Sequence, residues 1–311
     1  MEIYHSLAEV TKRTPAAVAL GFFDGLHHGH TTLISGCVQF AKERALSADV
    51  FTFKDHPKNV MRGEILVPRL LTEGEKLERL AALGVDRVFD FDFADHFQTI
   101  SPEDFAQIFL AEAFSTVAAF CGFNYRFGAG AAGNPKTLQA FGETYGFETH
   151  VIDPVYIGGQ LVSSTMIRRC INSGDVESAG RLLCRAYALK GVVEKGRGLG
   201  HSFGFPTANF FPARDMTLPA RGVYITEAFS DGLCYPAVTN VGIAPTVNAE
   251  DPVRVETHLL DQDLDLYGKE ITVNFIKMLR EELRFDSKEV LKKQIASDVT
   301  AAGRFFLSKS T

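Results

Sequence analysis

The sequence has few cysteines, no long apolar run and no excess of basic residues. Its five cysteines in 311 residues are widely spaced and include no C-x-x-C pair, which argues against disulfides and a structural zinc site. No apolar run approaches the roughly 18 residues of a membrane span, and residues 1–5 lack the features of a signal peptide, so we expect a cytoplasmic protein. We expect small core residues at all five cysteine positions: Cys37, Cys121, Cys170, Cys184 and Cys234.

The charged residues are of mixed sign along the chain. The net charge is −6, with acidic and basic residues interspersed, which argues against a nucleic-acid-binding surface. The positive charge that binds any polyphosphate must therefore come from a few residues close to the site. With 46% apolar and 23% charged residues, the composition is globular, and the length allows two domains. We expect small molecules as partners, neither nucleic acid nor membrane; the sequence indicates no oligomeric state.

The first half of the chain alternates apolar runs with helical patterns. Predicted strands cover residues 16–20, 48–53, 85–91, 117–121 and 147–152. A helix over residues 72–83 opens with a Thr-x-x-Glu capping box, and another begins at Ser101 with Pro102 in its first turn. This alternation predicts an α/β fold, namely a Rossmann-like N-terminal domain with a parallel sheet.

Short strands separated by turns replace this pattern after about Arg185. They are predicted at residues 187–194, 222–229, 233–241, 254–260 and 270–277. This spacing indicates an antiparallel barrel or sandwich, of which we predict the β-barrel. A terminal amphipathic helix from Ser287 to about Phe305 would pack on the barrel through Val290, Leu291, Ile295 and Val299. We therefore predict domains at residues 1–185 and 186–311.

The segment GFFDGLHHGH, residues 21–30, joins the first predicted strand to a helical pattern. Unpaired backbone N–H groups and the positive end of a helix dipole favour phosphate, and the imidazoles of His27 and His30 can add donors. This arrangement predicts a nucleotide site; an H-x-x-H zinc site is the alternative, but no third ligand stands at a convincing spacing. Glycines allow close approach of a ligand and an aspartate can fix the turn, which makes candidates of Gly21, Phe23, Asp24 and Gly25.

Three more polar segments follow predicted strands of the first half. They are FKDHP at residues 53–57, GFNYRFG at 122–128 and SSTMIR at 163–168. Since ligands of open α/β sheets bind at the carboxyl ends of the strands, we expect one cleft. Singly, each segment could be only a turn, a loop or a helix N-cap. The candidate residues are His56, Asn124, Arg126, Ser164, Thr165 and Arg168.

The second half carries GFPTAN at residues 204–209, after the glycine-rich residues 195–200. Glycines let backbone amides approach phosphates, and the Thr207 hydroxyl and Asn209 amide oxygen suit Mg²⁺. A turn between two strands is the alternative. Downstream, RVETHLLD at residues 254–261 alternates like a strand, with Glu256 and His258 on one face; a carboxylate there is often only solvated.

The four motifs of the first half resemble, in order, those of bacterial bifunctional riboflavin kinase/FMN adenylyltransferases, and H-x-G-H is similar to the signature of nucleotidyltransferases. The resemblance covers nearly all of residues 15–185. It implies that His27 and His30 contact ATP phosphates, that Asn124 helps to hold a nucleotide or flavin phosphate, and that the 164–168 segment binds the triphosphate. A nucleotidyltransferase domain that makes FAD from FMN and ATP, with release of pyrophosphate, is therefore expected.

GFPTAN and the E-x-H-L-L-D…D-L-Y-G run resemble the riboflavin kinase signature. The resemblance implies that Glu256 is the general base for phosphorylation of riboflavin to FMN, and that Mg²⁺ serves both reactions. Arg280 and Arg284 resemble residues near the flavin, although a basic helix end explains them equally well. The candidate binding residues of this site are Gly204, Phe205, Pro206, Thr207, Asn209, Arg280 and Arg284.

Two positions depart from the family pattern. His201 and Ala244 stand where arginines are common, which predicts a slow kinase or a weak affinity for ATP. We predict a bifunctional enzyme that uses ATP, riboflavin and FMN and forms FAD. The alternatives are an FAD synthetase with a weak or inactive kinase domain, and a non-catalytic flavin or nucleotide sensor.

Overall fold

The computed structural model describes residues 1–94, 97–195, 200, 203–243 and 253–309. The chain divides into two compact units, Met1–Ser164 and Thr165–Thr311. The predicted boundary between two functional domains, after residue 185, stays a prediction.

A parallel sheet forms the first unit, as predicted, and its six strands are the five predicted ones and an additional N-terminal strand. Its strands are β1 (Glu2–Tyr4), β2 (Ala16–Leu20), β3 (Ser47–Phe53), β4 (Arg87–Phe91), β5 (Thr116–Gly122) and β6 (Glu148–Ile152). The strand order is β1-β4-β3-β2-β5-β6. From β2 onward the chain therefore adds β3 and β4 on one side and β5 and β6 on the other, while β1 pairs with β4 at the edge. The sheet has a topological switch point between β2 and β5. Ligands of open α/β sheets bind at such a point, beyond the carboxyl ends of the strands.

Helices cover both faces of this sheet, which explains why every residue of β2 and β4 is buried. They are α1 (His28–Glu43), α2 (Pro57–Arg62), α3 (Glu73–Ala82), α4 (Pro102–Asp104) and α5 (Pro135–Tyr145). The predicted capping box of α3 is confirmed, with Thr72 and Glu75 bonded reciprocally. The helix predicted at Ser101 begins there, but after one turn it continues as a π-helix, Phe105–Ala113. A short hairpin of β7 (Tyr156–Ile157) and β8 (Gln160–Leu161) ends the unit.

The second unit contains an antiparallel six-stranded sheet that curves into a half-barrel. Its strands are β9 (Tyr187–Val192), β10 (Ala208–Phe210), β11 (Gly222–Ser230), β12 (Leu233–Ile243), β13 (Val253–Leu259) and β14 (Glu270–Glu281). The order is β10-β13-β12-β11-β14-β9, and the Glu194 N–H donates to the Asn209 carbonyl at 2.8 Å, which links the two edges. Helices α6 (Ser164–Asn172), α7 (Val176–Leu183) and α8 (Lys288–Lys309) complete the chain.

The terminal helix packs on the outer face of the barrel near its end. Ala302 is fully buried against Val223 and Ile225, with Val299 and Phe305 partly buried beside it. The helix starts one residue later and runs four residues further than predicted. The expectation for Val290 is wrong, since it is 50% exposed in the first turn.

The cysteine prediction is confirmed for three positions and wrong for two. Cys37, Cys121 and Cys170 are buried, whereas Cys184 and Cys234 are exposed. Cys184 follows the last residue of α7 with a left-handed backbone, and Cys234 lies near the start of β12 beside a tight turn. Both positions are at the ends of elements, where the side chain leaves the core.

Candidate functional site

The turn after β2 has an unusual backbone. Phe23, Gly25 and Leu26 have φ angles of 55°, 81° and 40°, and a positive φ is costly for the two residues other than glycine. Asp24 holds this turn through its side chain and its backbone. Its Oδ1 accepts from the Leu70 N–H at 2.9 Å, and its backbone carbonyl accepts from the Ser164 hydroxyl at 2.8 Å. The turn is thus fixed by residues far away in the chain, one of them in the SSTMIR segment.

The two predicted histidines meet at the N-terminus of α1. His27 is the N-cap, and its Nδ1 accepts from the His30 N–H at 3.2 Å. The two imidazole rings stack with their centroids 3.6 Å apart. A Cβ atom at Gly29 would lie 3.3 Å from the His27 ring, so glycine leaves the room that this stacking needs. The pair is a preformed imidazole surface at the positive end of a helix.

His30 has a buried polar atom without a partner. Its Nδ1 is buried and makes no hydrogen bond within the part of the chain that is described, and the Phe23 ring meets the imidazole edge-on. Burial, reinforced by the neighbouring His27, lowers the pKa of His30 well below its usual value, so the ring is neutral at neutral pH. An unsatisfied buried polar atom costs about 1–3 kcal/mol. A ligand oxygen at this point would remove that cost.

The other motifs of the first unit leave the same edge of the sheet. Leu20 at the end of β2 pairs with β3 on one side and with β5 on the other. His56 follows β3 and caps α2, with Nδ1 accepting from the Lys58 N–H at 3.2 Å. Asn124 and Arg126 follow β5 and are exposed. The segments of His27, His56 and Asn124 therefore leave three adjacent strands at the switch point.

The structure assigns Thr165 and Arg168 to the second unit. They lie in the first turns of α6, where Thr165 is exposed and Arg168 half-buried. Ser164, the last residue of the first unit, is the part of their motif that contacts the turn after β2. A role for Thr165 and Arg168 with the triphosphate stays a prediction.

In the second unit, Glu256 on β13 lies between two asparagines. In the strand register it is opposite Asn209 of β10 and opposite Asn240 of β12. The Asn240 Nδ2 is 3.4 Å from Glu256 Oε2, and the Arg254 Nη1 is 3.8 Å from Oε1. The Glu256 side chain is 37% exposed, so the carboxylate is accessible from solvent while amide and guanidinium groups fix its position. Asn240 is not among the site residues predicted from the sequence.

A cavity of about 430 Å³ lies beside the GFPTAN segment. Asn209 is buried, and its Nδ2 donates to the carbonyl and the hydroxyl of Thr207 at 3.0 and 3.3 Å. The neighbouring Pro206 carbonyl contacts His258 Nδ1 at 2.8 Å, and the ring of Phe205 meets the His258 ring edge-on. The lining also includes the carboxylates and phenol of the following loop: Asp263, Asp265 and Tyr267.

Arg280 and Arg284 do not lie at the end of a helix, which was the alternative interpretation of these two residues. Arg280 lies on β14 and binds Asp298 of α8 through Nε and Nη2, at 3.1 and 2.8 Å from Oδ2. Arg284 is exposed in the segment that follows β14. The alternative of a basic helix end is therefore wrong, and Arg280 already has a carboxylate partner. His201 and Ala244 lie outside the described residues.

Two family models match the chain, FAD synthetase over residues 9–166 and riboflavin kinase over residues 183–306. The bifunctional riboflavin kinase/FMN adenylyltransferase of Escherichia coli K12 is 35% identical over 303 residues, which cover 97% of this chain and 96% of that protein. The chain belongs to the bifunctional riboflavin kinase/FMN adenylyltransferase family. A relative of that name from Listeria monocytogenes is 32% identical over 290 residues, covering 93% and 92% of the two chains. The predicted family, fold class and pair of activities are confirmed.

A solved structure agrees with this family's two-part architecture. A crystal structure described as a macrolide-efflux protein from Streptococcus pneumoniae has a TM-score of 0.86 and 27% sequence identity, covering 96% of this chain and 97% of that one. Within the described residues of this riboflavin kinase/FMN adenylyltransferase family member, no helix is both long and apolar enough to cross a membrane.

Proposed function

We propose that the two activities are divided between the two halves of the chain, with adenylyl transfer up to residue 185 and riboflavin phosphorylation from residue 186. The observation that carries the first assignment is the stacked pair of His27 and His30 at the start of α1, with a buried His30 Nδ1 that has no partner among the described residues. Riboflavin and ATP give FMN and ADP, and FMN and a second ATP give FAD and pyrophosphate. We place both reactions in the cytoplasm.

In the adenylyl-transfer reaction the protein supplies alignment and charge stabilisation. An anionic phosphate oxygen of FMN attacks the α-phosphorus of ATP; the new P–O bond forms as the bond to the bridging oxygen breaks, and pyrophosphate takes the electron pair. No base is required, because the nucleophile is already ionised. His27 and His30 donate to phosphate oxygens, and Asn124 and Arg126 help to bind the two substrates.

In the kinase reaction Glu256 accepts a proton. The ribityl 5′-hydroxyl of riboflavin attacks the γ-phosphorus of ATP, its proton passes to the Glu256 carboxylate, and ADP leaves. The Asn240 amide, 3.4 Å from Oε2, orients the carboxylate for this transfer. Because Glu256 is part-exposed, substrate can reach it without opening the barrel.

Thr207 and Asn209 fit a magnesium site. The Asn209 Nδ2 donates to the Thr207 carbonyl and hydroxyl, which holds the two side chains together. A hydroxyl and an amide oxygen are ligands that Mg²⁺ accepts. When bound there, the ion neutralises charge on the ATP phosphates. Gly204, Phe205 and Pro206 directly precede these two residues, and Pro206 lines the same cavity.

A product assay tests the pair of reactions. Incubation of the chain with riboflavin, ATP and Mg²⁺, followed by chromatography, should show FMN first and FAD later. FAD from added FMN, but not from riboflavin, would indicate the alternative with an inactive kinase. Absence of both products with retained flavin binding would indicate a sensor and contradict the proposal.

Truncation tests the proposed boundary. A fragment of residues 1–185 should convert FMN to FAD and should not phosphorylate riboflavin, because it keeps both the switch-point residues and the helix that carries Thr165 and Arg168. A fragment of residues 1–164 should have lost most of the adenylyl transfer if those two residues bind the triphosphate. Circular dichroism shows whether both fragments are folded. Equal adenylyl-transfer activity of two folded fragments would show that Thr165 and Arg168 do not bind the triphosphate.

A further inference from the structure

Lys76 and Asp90 form a buried ion pair near the carboxyl edge of the parallel sheet. Lys76 lies on α3, one turn before the fully buried Leu80, and Asp90 lies on β4. The Lys76 Nζ is 3.1 Å from Asp90 Oδ1, and the two side chains are 8% and 0% exposed. Both groups have therefore given up nearly all the hydration that a surface pair keeps.

Stability alone does not account for this pair. A buried ion pair is often no more stable than apolar side chains of the same volume, and the next inward position of α3 is the apolar Leu80. In addition, Asp90 Oδ2 is buried and has no hydrogen-bond partner in the described parts of the chain. An incompletely bonded carboxylate adds to the cost of burial.

The Lys76 ammonium group contacts residues near the start of two motif segments, FKDHP and GFFDGLHHGH. The Lys76 Nζ donates to the Phe53 carbonyl at 3.0 Å, and Phe53 is the last residue of β3, three residues before His56. The same Nζ lies 5.8 Å from the centroid of the Phe22 ring, within range of a cation–π interaction. The Phe22 ring in turn meets the His56 ring edge-on, with centroids 4.9 Å apart.

We propose that Lys76 is a positioning residue for adenylyl transfer. Its ammonium, held by Asp90, fixes the end of β3 and the ring of Phe22, so that the segments of His27 and His56 keep one arrangement. In this role Lys76 does not touch substrate. Its loss can still lower the rate strongly, because a misplacement of about 1 Å in an active site can cost about 100-fold in rate. The inference rests on the proposed assignment of adenylyl transfer to this half of the chain.

The same two strands offer a matched control at their opposite edge. Asp49 of β3 and Arg87 of β4 are register partners and form a second buried ion pair, with 0% and 6% exposed side chains. Arg87 Nη2 binds Asp49 Oδ2 at 2.6 Å and also the Thr14 carbonyl at 3.0 Å. This pair lies toward the amino ends of the strands, away from the segments that follow their carboxyl ends.

The experiment compares the two pairs in the full-length chain. Lys76→Met and Asp90→Asn should each lower kcat for FAD formation from FMN by about tenfold or more, with KM for FMN and ATP within about threefold, because alignment rather than binding is lost. Riboflavin phosphorylation in the same samples should stay within about twofold. Arg87→Met and Asp49→Asn should lower the melting temperature at least as much, yet leave kcat for FAD formation within about twofold.

Two results would overturn the inference. One is wild-type kcat in Asp90→Asn and Lys76→Met; the other is an equal fall of kcat in the variants of both pairs, which would reduce Lys76 to a structural role. If Lys76→Met does not fold, the comparison of Asp90→Asn with Asp49→Asn decides alone. Failure of the proposed function is a separate result, since it would appear as full FAD synthesis by His27→Ala.

Discussion

Replacing either His27 or His30 with alanine is expected to lower the rate of FAD formation from FMN by about 100-fold or more. Loss of one donor that stabilises transition-state charge costs about 3–4 kcal/mol. Because the two rings stack and the His27 ring accepts a hydrogen bond from the His30 backbone N–H, the two residues act as a unit. The double variant should therefore lose less than the product of the two single losses. Steady-state kinetics with FMN and ATP measure the effect.

His28 provides the control for this prediction. It lies between the two histidines in the sequence but is exposed at the first position of α1, so His28→Ala should keep FAD formation within about twofold. Riboflavin phosphorylation should survive in all these variants, which shows that the chain is folded. Full adenylyl transfer by the double variant would remove the two histidines from the reaction.

The elements that could be predicted from the sequence are those with strong local signals. The capping box at Thr72, the helix start at Ser101 and the alternation around Val255 and Leu259 depend on residues within one or two turns or one strand. Each of these is present in the structure. Parallel strands linked by helices have their carboxyl ends at one edge of the sheet, so the common edge of the motifs was predictable as well.

What could not be predicted depends on contacts between distant parts of the chain. Strand β10 has three residues, too few for a periodic pattern, and exists through its pairing with β13. The burial of His30 Nδ1 depends on the turn after β2, whose Phe23 ring meets the imidazole edge-on. The buried pair of Lys76 and Asp90 joins α3 to β4. In the sequence, Lys76 is an ordinary polar residue of an amphipathic helix, so no local pattern indicated that its side chain is buried.

The partner of Arg280 shows the same limit at the barrel end. Its charge is bound by Asp298, 18 residues away on α8, a contact that no local pattern indicates. A motif match alone therefore leaves open how much of that guanidinium charge is available to a flavin. Glu256 differs, because its neighbours in the register are themselves amides and its carboxylate stays part-exposed.

Replacing Glu256 with glutamine is expected to lower kinase turnover by about 10²–10⁴-fold, the contribution of a positioned general base. Glutamine keeps the size of the side chain and an acceptor for the Asn240 amide, but it cannot take up the proton of the attacking hydroxyl. The loss should therefore be in kcat, with binding of riboflavin little changed. Stopped assays of FMN formation, with riboflavin affinity measured by fluorescence titration, separate the two quantities.

Glu227 is the matched control, because it is a partly buried carboxylate on the same sheet. The register of β11 with β12 pairs Val223 with Asn240 and Glu227 with Pro236, so Glu227 lies on the face that carries Asn240 and Glu256, four residues further along the strand. Glu227→Gln should keep kinase turnover within about twofold. Retained turnover in Glu256→Gln would place the base elsewhere, whereas equal losses in both variants would show that the removal of any carboxylate from this face disturbs the barrel. A large loss of kcat confined to Glu256→Gln, with riboflavin affinity retained, is the result expected of a proton acceptor at the reacting hydroxyl.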